Sequence, residues 1–233
     1  FALTEAEVSG ALLCLDVTSS IVDEAVEKGC NLIVSHHPLI FRPLKRVVGA
    51  DDVQRAVAKA IKHDITILSM HTNMDNAQGG VNFKMAEKMQ LTGVKFFTEK
   101  QVDGITCGSG VMGELPGAMA ADDFIMMLKR EFDVECVQCN QLLRRPIRTV
   151  AICGGAGSFL LPEAIAAGAD AFVTGEMHYH DYFAHEQEIQ IAVIGHYQSE
   201  QYTYEIFKSI IEEQCEGVRC VVTSQNTNPI IYL

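Results

Sequence analysis

Three short apolar runs in this chain end in histidine. Leu32-Ile33-Val34-Ser35 leads to His36 and His37, residues 65–70 lead to His71, and residues 191–195 lead to His196. Short apolar runs of this kind read as buried strands. In open α/β sheets, ligands bind where the carboxyl ends of strands open into loops. Imidazole is the commonest metal-ligating side chain, so three strands delivering histidine to one sheet edge point to a metal site. Adjacent residues within a strand face opposite ways. His36 and His37 can therefore share a site only where the strand has ended. Pro38 fits that requirement, because it holds its predecessor extended and cannot donate to a ladder. The competing reading is one functional and one incidental histidine; the other strand-end histidines favour ligation.

Carboxylates sit at the same places. Asp75 lies four residues after His71 in a loop-forming stretch, either as a ligand or as a turn residue before the helix expected from Val81. His71 is itself either a ligand or a group that orients one. In Gly195-His196-Tyr197-Gln198-Ser199-Glu200 a glycine ends the strand and a helix is expected to start. His196 and Glu200 then project from one face, four residues apart. Three imidazoles (His36, His37, His196) and two carboxylates (Asp75, Glu200) exceed what one tetrahedral ion needs. They suit two ions about 3.5–4 Å apart. Nitrogen and oxygen donors without thiolate fit Zn, Mn, Fe, Co or Ni.

Further candidates follow other strands. Gly154, Gly155 and Gly157 come after an apolar run and before a helix, where their N–H groups could cradle an oxyanion. The run lacks the Gly-Lys-Ser/Thr of a P-loop and the third glycine of a dinucleotide fingerprint; a tight strand-to-helix turn explains it equally well. Glu176 and His180, with His178 between them, follow the strand ending at Thr174 and are candidates for acid–base work. Cys136-x-x-Cys139 has no second pair, which argues against structural zinc.

The elements that must position these groups alternate. Helical spacing is expected over residues 21–28, 53–62, 81–89, 121–130, 161–167 and 202–213, with Ser19 or Ser20 capping the first and Gly29 ending it. Strands are expected near residues 8–16, 31–34, 65–69, 109–115, 134–138, 148–153, 171–174 and 191–194. That order predicts an α/β protein of two similar lobes with largely parallel sheets and the metal site at strand carboxyl ends. Residues 1–103 and 141–233 are expected to form the lobes together, with residues 104–140 a small α+β segment packed on them. A faint echo supports two related lobes: the pattern of Glu24, Gly29 and Ile33-Val34-Ser35 returns 139 residues later as Glu163, Gly168 and Phe172-Val173-Thr174. Any two βαβ units share some of this likeness.

Composition narrows the class. A chain with 48% hydrophobic and 21% charged residues is expected to fold rather than remain disordered. Its 30 acidic residues against 18 basic ones give a formal charge of −12, and no basic run compensates, so nucleic acid is not an expected partner. The apolar runs are too short to span a membrane. The eight scattered cysteines read as buried free thiols of a cytoplasmic protein.

On these residues the chain resembles the dinuclear-metal-centre proteins called GTP cyclohydrolase I type 2 homologs, or Ngg-interacting-factor-like proteins. The motifs are Leu15-Asp16-Val17-Thr18 with Glu24-Ala25, Ser35-His36-His37-Pro38-Leu39-Ile40-Phe41, His71-Thr72-Asn73-Met74-Asp75, the Cys153–Ser158 glycine loop, Thr174-Gly175-Glu176, and Gly195 to Glu200. The resemblance implies metal ligation by His36, His37, Asp75, His196 and Glu200, with Glu200 bridging. It also implies two similar α/β lobes and a toroidal homohexamer whose metal sites face its interior. The family's N-terminal Trp-Asp-Asn-x-Gly-Leu motif is absent and the sequence opens on Phe1, so the chain is expected to begin inside a longer protein. It resembles the short form, lacking the long middle insertion of some members. The function expected is a metal-dependent hydrolase acting on a nucleotide-like or phosphorylated small molecule. The alternative is a non-enzymatic metal carrier or an oligomeric regulatory protein, which metal exchange without turnover would reveal.

Overall fold

Apolar runs and capping residues account for most of the element boundaries. In a computed structural model of the chain, residues 6–233 are described. Residues 1–5, the start of the expected segment 1–103, lie outside the described residues. The order is β1 (Ala11–Cys14), α1 (Ser19–Glu27), β2 (Leu32–Ser35), α2 (Asp52–Lys62), β3 (Thr66–Ser69), α3 (Thr72–Asp75), α4 (Val81–Lys88), β4 (Thr92–Phe96), β5 (Glu99–Val102), β6 (Ile105–Gly108) and β7 (Val111–Met119). There follow α5 (Ala121–Glu131), β8 (Gln138–Cys139), β9 (Ile147–Cys153), α6 (Leu161–Ala166), β10 (Ala171–Thr174), β11 (Gln190–Val193), α7 (His196–Glu200), α8 (Thr203–Gln214) and β12 (Cys220–Val222). Short 3-10 turns cover Ser158–Leu160 and Tyr179–Tyr182. The fold is mixed α/β and largely parallel. It divides into two units, one up to Met74 with Thr203–Pro229, the other Asp75–Tyr202 with Ile230–Leu233.

The first unit carries a four-stranded sheet in the order β12-β1-β2-β3, every neighbour parallel. Strands buried on both faces need unbroken apolar runs, and Ala11–Cys14 is buried throughout. Thr18, rather than Ser19 or Ser20, caps α1: its side chain accepts from the Ile21 N–H at 3.3 Å. Gly29 ends the helix at φ +64°, a left-handed conformation that glycine adopts without steric cost. Ile21, Val22 and Ala25 then pack with Leu12, Ile33 and Val57. Each large side chain so buried contributes about 1.5–3 kcal/mol. Glu24, 5% exposed, joins the segment after β12 to α1. Its carboxylate accepts from the Thr223 hydroxyl, from the Ser224 N–H and hydroxyl at 2.9 Å each, and from Gln225 Nε2 at 3.3 Å. Burial alone would raise its pKa; these donors outweigh burial and the net shift is downward.

The second unit carries a six-stranded sheet, β4-β7-β9-β10-β11-β8. Its centre, β9-β10-β11, is parallel, and both flanks are antiparallel. Alternation sorts its side chains: Val150, Ile152, Val173, Ala192 and Ile194 face one core with Phe124 and Leu128 of α5. Ala151, Phe172, Ile191 and Val193 face the other with Leu161 and Ala164 of α6. Residues 104–140 supply β7, which pairs with β9, and β8, which pairs with β11. A separate hairpin, β5 with β6, turns at Asp103-Gly104, both at positive φ, the dipeptide preferred in two-residue hairpin turns. Among the described residues no helix is long and apolar enough to cross a membrane. All eight cysteines are free thiols, yet only Cys14, Cys30 and Cys153 are buried. Cys136, Cys139 and Cys215 are exposed, because they lie in edge or loop segments rather than in the central strands.

Candidate metal centre

In the first unit β2 stops at Ser35, and the residues after it keep following β1. His36 N–H donates to the Cys14 carbonyl (3.3 Å) and His37 N–H to the Leu15 carbonyl (2.9 Å). Ser35 Oγ lies 2.9 Å from Ser69 Oγ and 2.9 Å from the His37 carbonyl, tying the ends of β2 and β3 together. Both imidazoles therefore leave a strand that has ended, with ring centroids 5.0 Å apart. His71 joins them: its ring lies 5.2 Å from His36 and 5.3 Å from His37. The three can offer nitrogens within 4.8 Å of one another.

The hydrogen bonds decide which nitrogens. His36 Nδ1 is 2.9 Å from the Met70 carbonyl, which can only accept, so Nδ1 carries the proton and Nε2 the lone pair. His37 Nδ1 is 2.7 Å from Asp16 Oδ1, and Thr227 Oγ1 donates to Asp16 Oδ2 at 2.6 Å. A carboxylate or carbonyl on one ring nitrogen fixes the tautomer and aims the other nitrogen at a metal.

In the second unit β11 gives way to α7 through Gly195, at φ +98°. That backbone conformation strains any residue with a Cβ, which would also stand 2.2 Å from Gln198 Oε1, so the turn favours glycine. His196 Nδ1 lies 2.8 Å from Glu176 Oε1, and Nε2 lies 3.1 Å from Glu200 Oε2. The hydrogen bond to Glu200 is the largest influence on the His196 pKa; with Glu176 it outweighs burial and raises it. Glu200 is buried, and it lies where a side chain on the glycine loop would have to go. A Cβ on Gly155, which has φ +58°, would be 2.3 Å from Glu200 Oε1.

The loop itself is tied inward. Gly154 N–H donates to Asn82 Oδ1 (2.8 Å), Gly155 N–H to Ser199 Oγ (2.9 Å), and Gly157 N–H to Thr174 Oγ1 (3.2 Å). These N–H groups serve the fold, so the oxyanion cradle expected from Gly154, Gly155 and Gly157 gives way to a close-packing role. Asn82 also donates to the Asp75 carbonyl at 3.0 Å, linking that residue to the loop. Burial first, then the charges of Asp75 and Glu200, push the Cys153 thiol up to about 12.

Beside His196 opens a cleft of about 290 Å³, with Glu176, His178, Ser158, Cys136 and Tyr232 in its walls. His180 is not among them; its ring stacks with Phe183 and meets Tyr179 edge-on. Asp16, Asn82 and Ser199 escaped the reading of spacing, because each acts on a residue remote in sequence.

These groups define an α/β protein with histidine and glutamate clusters able to hold a metal ion. Residues 2–229 match the family described as Duf34/NIF3 (NGG1p interacting factor 3), and the chain belongs to that family. A Clostridium perfringens relative named "GTP cyclohydrolase 1 type 2 homolog" is 30% identical over 98% of this chain and 88% of its own. A Staphylococcus aureus protein of known structure is 28% identical, with a TM-score of 0.89 over 100% of this chain and 90% of its own. A Bacillus cereus protein related to NIF3 shares the fold with a TM-score of 0.90, at 23% identity, over 100% of this chain and 91% of its own.

Proposed function

We propose that His36, His37, Asp75, His196 and Glu200 hold two divalent cations, and that the chain is a metal-dependent hydrolase of a nucleotide-like or phosphorylated small molecule. One observation carries the reading. His36, His37 and His196 each have Nδ1 on an oxygen acceptor, respectively the Met70 carbonyl, Asp16 and Glu176, which orients Nε2 of each ring for ligation; His196 Nε2 lies 3.1 Å from a second proposed ligand, Glu200. Packing alone has no need of that repetition. The relatives' name, GTP cyclohydrolase 1 type 2 homolog, supports a nucleotide as the substrate class.

When bound, divalent cations would supply Lewis acidity and acidify water. The chain's own contribution is orientation. Asp16 and Glu176 hold two imidazoles in one tautomer, and the missing side chain at Gly155 leaves room for the Glu200 carboxylate. Glu176 is thus a positioning residue rather than a proton shuttle, and His180 has no role in this scheme. The cleft beside His196 is the place for substrate. A homohexamer belongs to the same proposal on family resemblance alone.

Protein purified without chelator should carry about two divalent ions per chain by elemental analysis, falling when any of the five ligands becomes alanine. Metal-loaded protein should hydrolyse a member of a nucleotide and phosphoester panel, with turnover lost in Glu200→Ala. Full metal content with no turnover in any metal form would overturn the hydrolase and keep the metal site.

A further inference from the structure

The sequence as a whole shows no basic run, yet its cations are unevenly placed. Residues 38–50 hold Arg42, Lys45 and Arg46 and no acidic residue, in a chain whose formal charge is −12. The segment joins β2 to α2 without regular structure and starts directly after His36 and His37. It is nonetheless pinned. Leu44 packs against the core of the first unit. Gln54, buried on α2, accepts from the Val48 N–H at 2.9 Å and the Ala50 N–H at 3.4 Å. Leu39 is also in that core, and around these anchors the side chains of Phe41, Arg42, Lys45 and Arg46 are exposed, Phe41 to 72%. The Phe41 ring is 6.2 Å from that of His71, which touches both His36 and His37.

The neighbouring Arg55 is engaged with Asp52 at 3.4 Å and the Gly49 carbonyl at 3.3 Å. The field of Arg46 reaches Asp51. Among the described residues, however, Arg42, Lys45 and Arg46 make no ion pair or hydrogen bond. An exposed aromatic ring and three uncommitted cations on an anchored loop, beside a histidine cluster, form a combination that suits a flat ring bearing phosphate. Guanidinium and ammonium groups bind phosphate oxygens through charge-assisted hydrogen bonds, and an exposed aromatic face stacks on a nucleobase.

We propose that the Phe41–Arg46 loop is the recognition element for a nucleoside phosphate, with Arg42, Lys45 and Arg46 on the phosphates and Phe41 against the base. This rests on the reading of the substrate as phosphorylated, and adds the residues that select it.

The test is equilibrium binding, separate from turnover. GTP, guanosine and inorganic triphosphate are titrated at low ionic strength into wild-type protein, before and after chelation. The same titrations are run on the triple variant Arg42→Ser, Lys45→Ser, Arg46→Ser, on Phe41→Leu, and on a charge-matched control, Lys62→Ser, Lys95→Ser, Lys100→Ser. The loop triple should weaken GTP and triphosphate about tenfold or more beyond the control, in chelated protein as well. Phe41→Leu should weaken GTP and guanosine and spare triphosphate. Loss in the control equal to that in the loop triple would overturn the proposal, as would a change in oligomeric mass in place of a change in affinity. Loop-dependent binding without turnover would defeat the hydrolase and leave the recognition loop standing.

Discussion

The parallel strands β1, β2 and β3 of the first unit and β9, β10 and β11 of the second end differently. In the first, the middle strand delivers His36 and His37, and the carboxylate that orients His37 comes from Asp16, just past β1. In the second, Glu176 lies two residues past the middle strand, and it orients a histidine from just past the third strand, His196. Where the first unit has Asp16, the position 139 residues later is Gly155, whose bare Cα leaves room for Glu200. Strand scaffolding is shared more closely than chemistry. Asn31 Oδ1 accepts from the Ser9 N–H, and Asp170, 139 residues on, accepts from the Arg148 and Thr149 N–H groups. The backbone carbonyls of Asn31 and Asp170 accept from Thr66 and Gln190, at the starts of β3 and β11. The same geometric slot can thus hold an orienting group or the space for a ligand.

The sharpest way to break this contrast is to refill the space. Gly155→Ala combines a positive φ with a Cβ 2.3 Å from Glu200 Oε1. It should lower stability by about 2–4 kcal/mol in urea unfolding and reduce bound metal. Unchanged stability and metal content would show that Gly155 is a plain turn. Next in size, the two orienting carboxylates should prove equivalent although they arise from different strands. Asp16→Ala and Glu176→Ala should each weaken metal affinity about 10–100-fold by competition with a chelator. An effect confined to one of them would make the histidine arrangements functionally unlike. Smallest is a purely structural difference, since Glu24 ties the first unit's C-terminal segment in place. Glu24→Gln should cost about 1–2 kcal/mol near neutral pH. Because the folded pKa is lowered, that contribution is present above the ordinary glutamate value and disappears as pH falls through the folded pKa. The gap between wild type and variant in urea unfolding should therefore close on acidification; a pH-independent gap would contradict it.

Strand-end histidines, the α/β alternation and the helical placement of His196 and Glu200 were legible because they depend on neighbours in sequence. Through-space devices were not. Asp16 sits 21 residues before His37, and nothing in its own surroundings marks it as that ring's partner. The glycine loop reads locally as an anion cradle; only the fold reveals acceptors already on its N–H groups. The β5–β6 hairpin was missed because its strands are largely exposed and weakly patterned, although Asp103-Gly104 marks the turn. Residues 134–138 looked like a strand by composition, yet only Gln138–Cys139 pairs, with β11. Three cations with two apolar residues between the first pair do not form a charge run, so Arg42, Lys45 and Arg46 gained meaning only from their uncommitted exposure.

Asn82 is 1% exposed and uses both halves of its amide, the oxygen for Gly154 and the nitrogen for the Asp75 carbonyl. Aspartate would supply the acceptor and bring charge to a carbonyl in place of a donor. Leucine would fill the volume and satisfy neither partner, and glutamine carries an extra methylene into a closed space. Against these three substitutes the asparagine amide alone serves both partners in the space it has, and hydrolytic ageing of that amide to a carboxylate would unfasten two loops with a single chemical event.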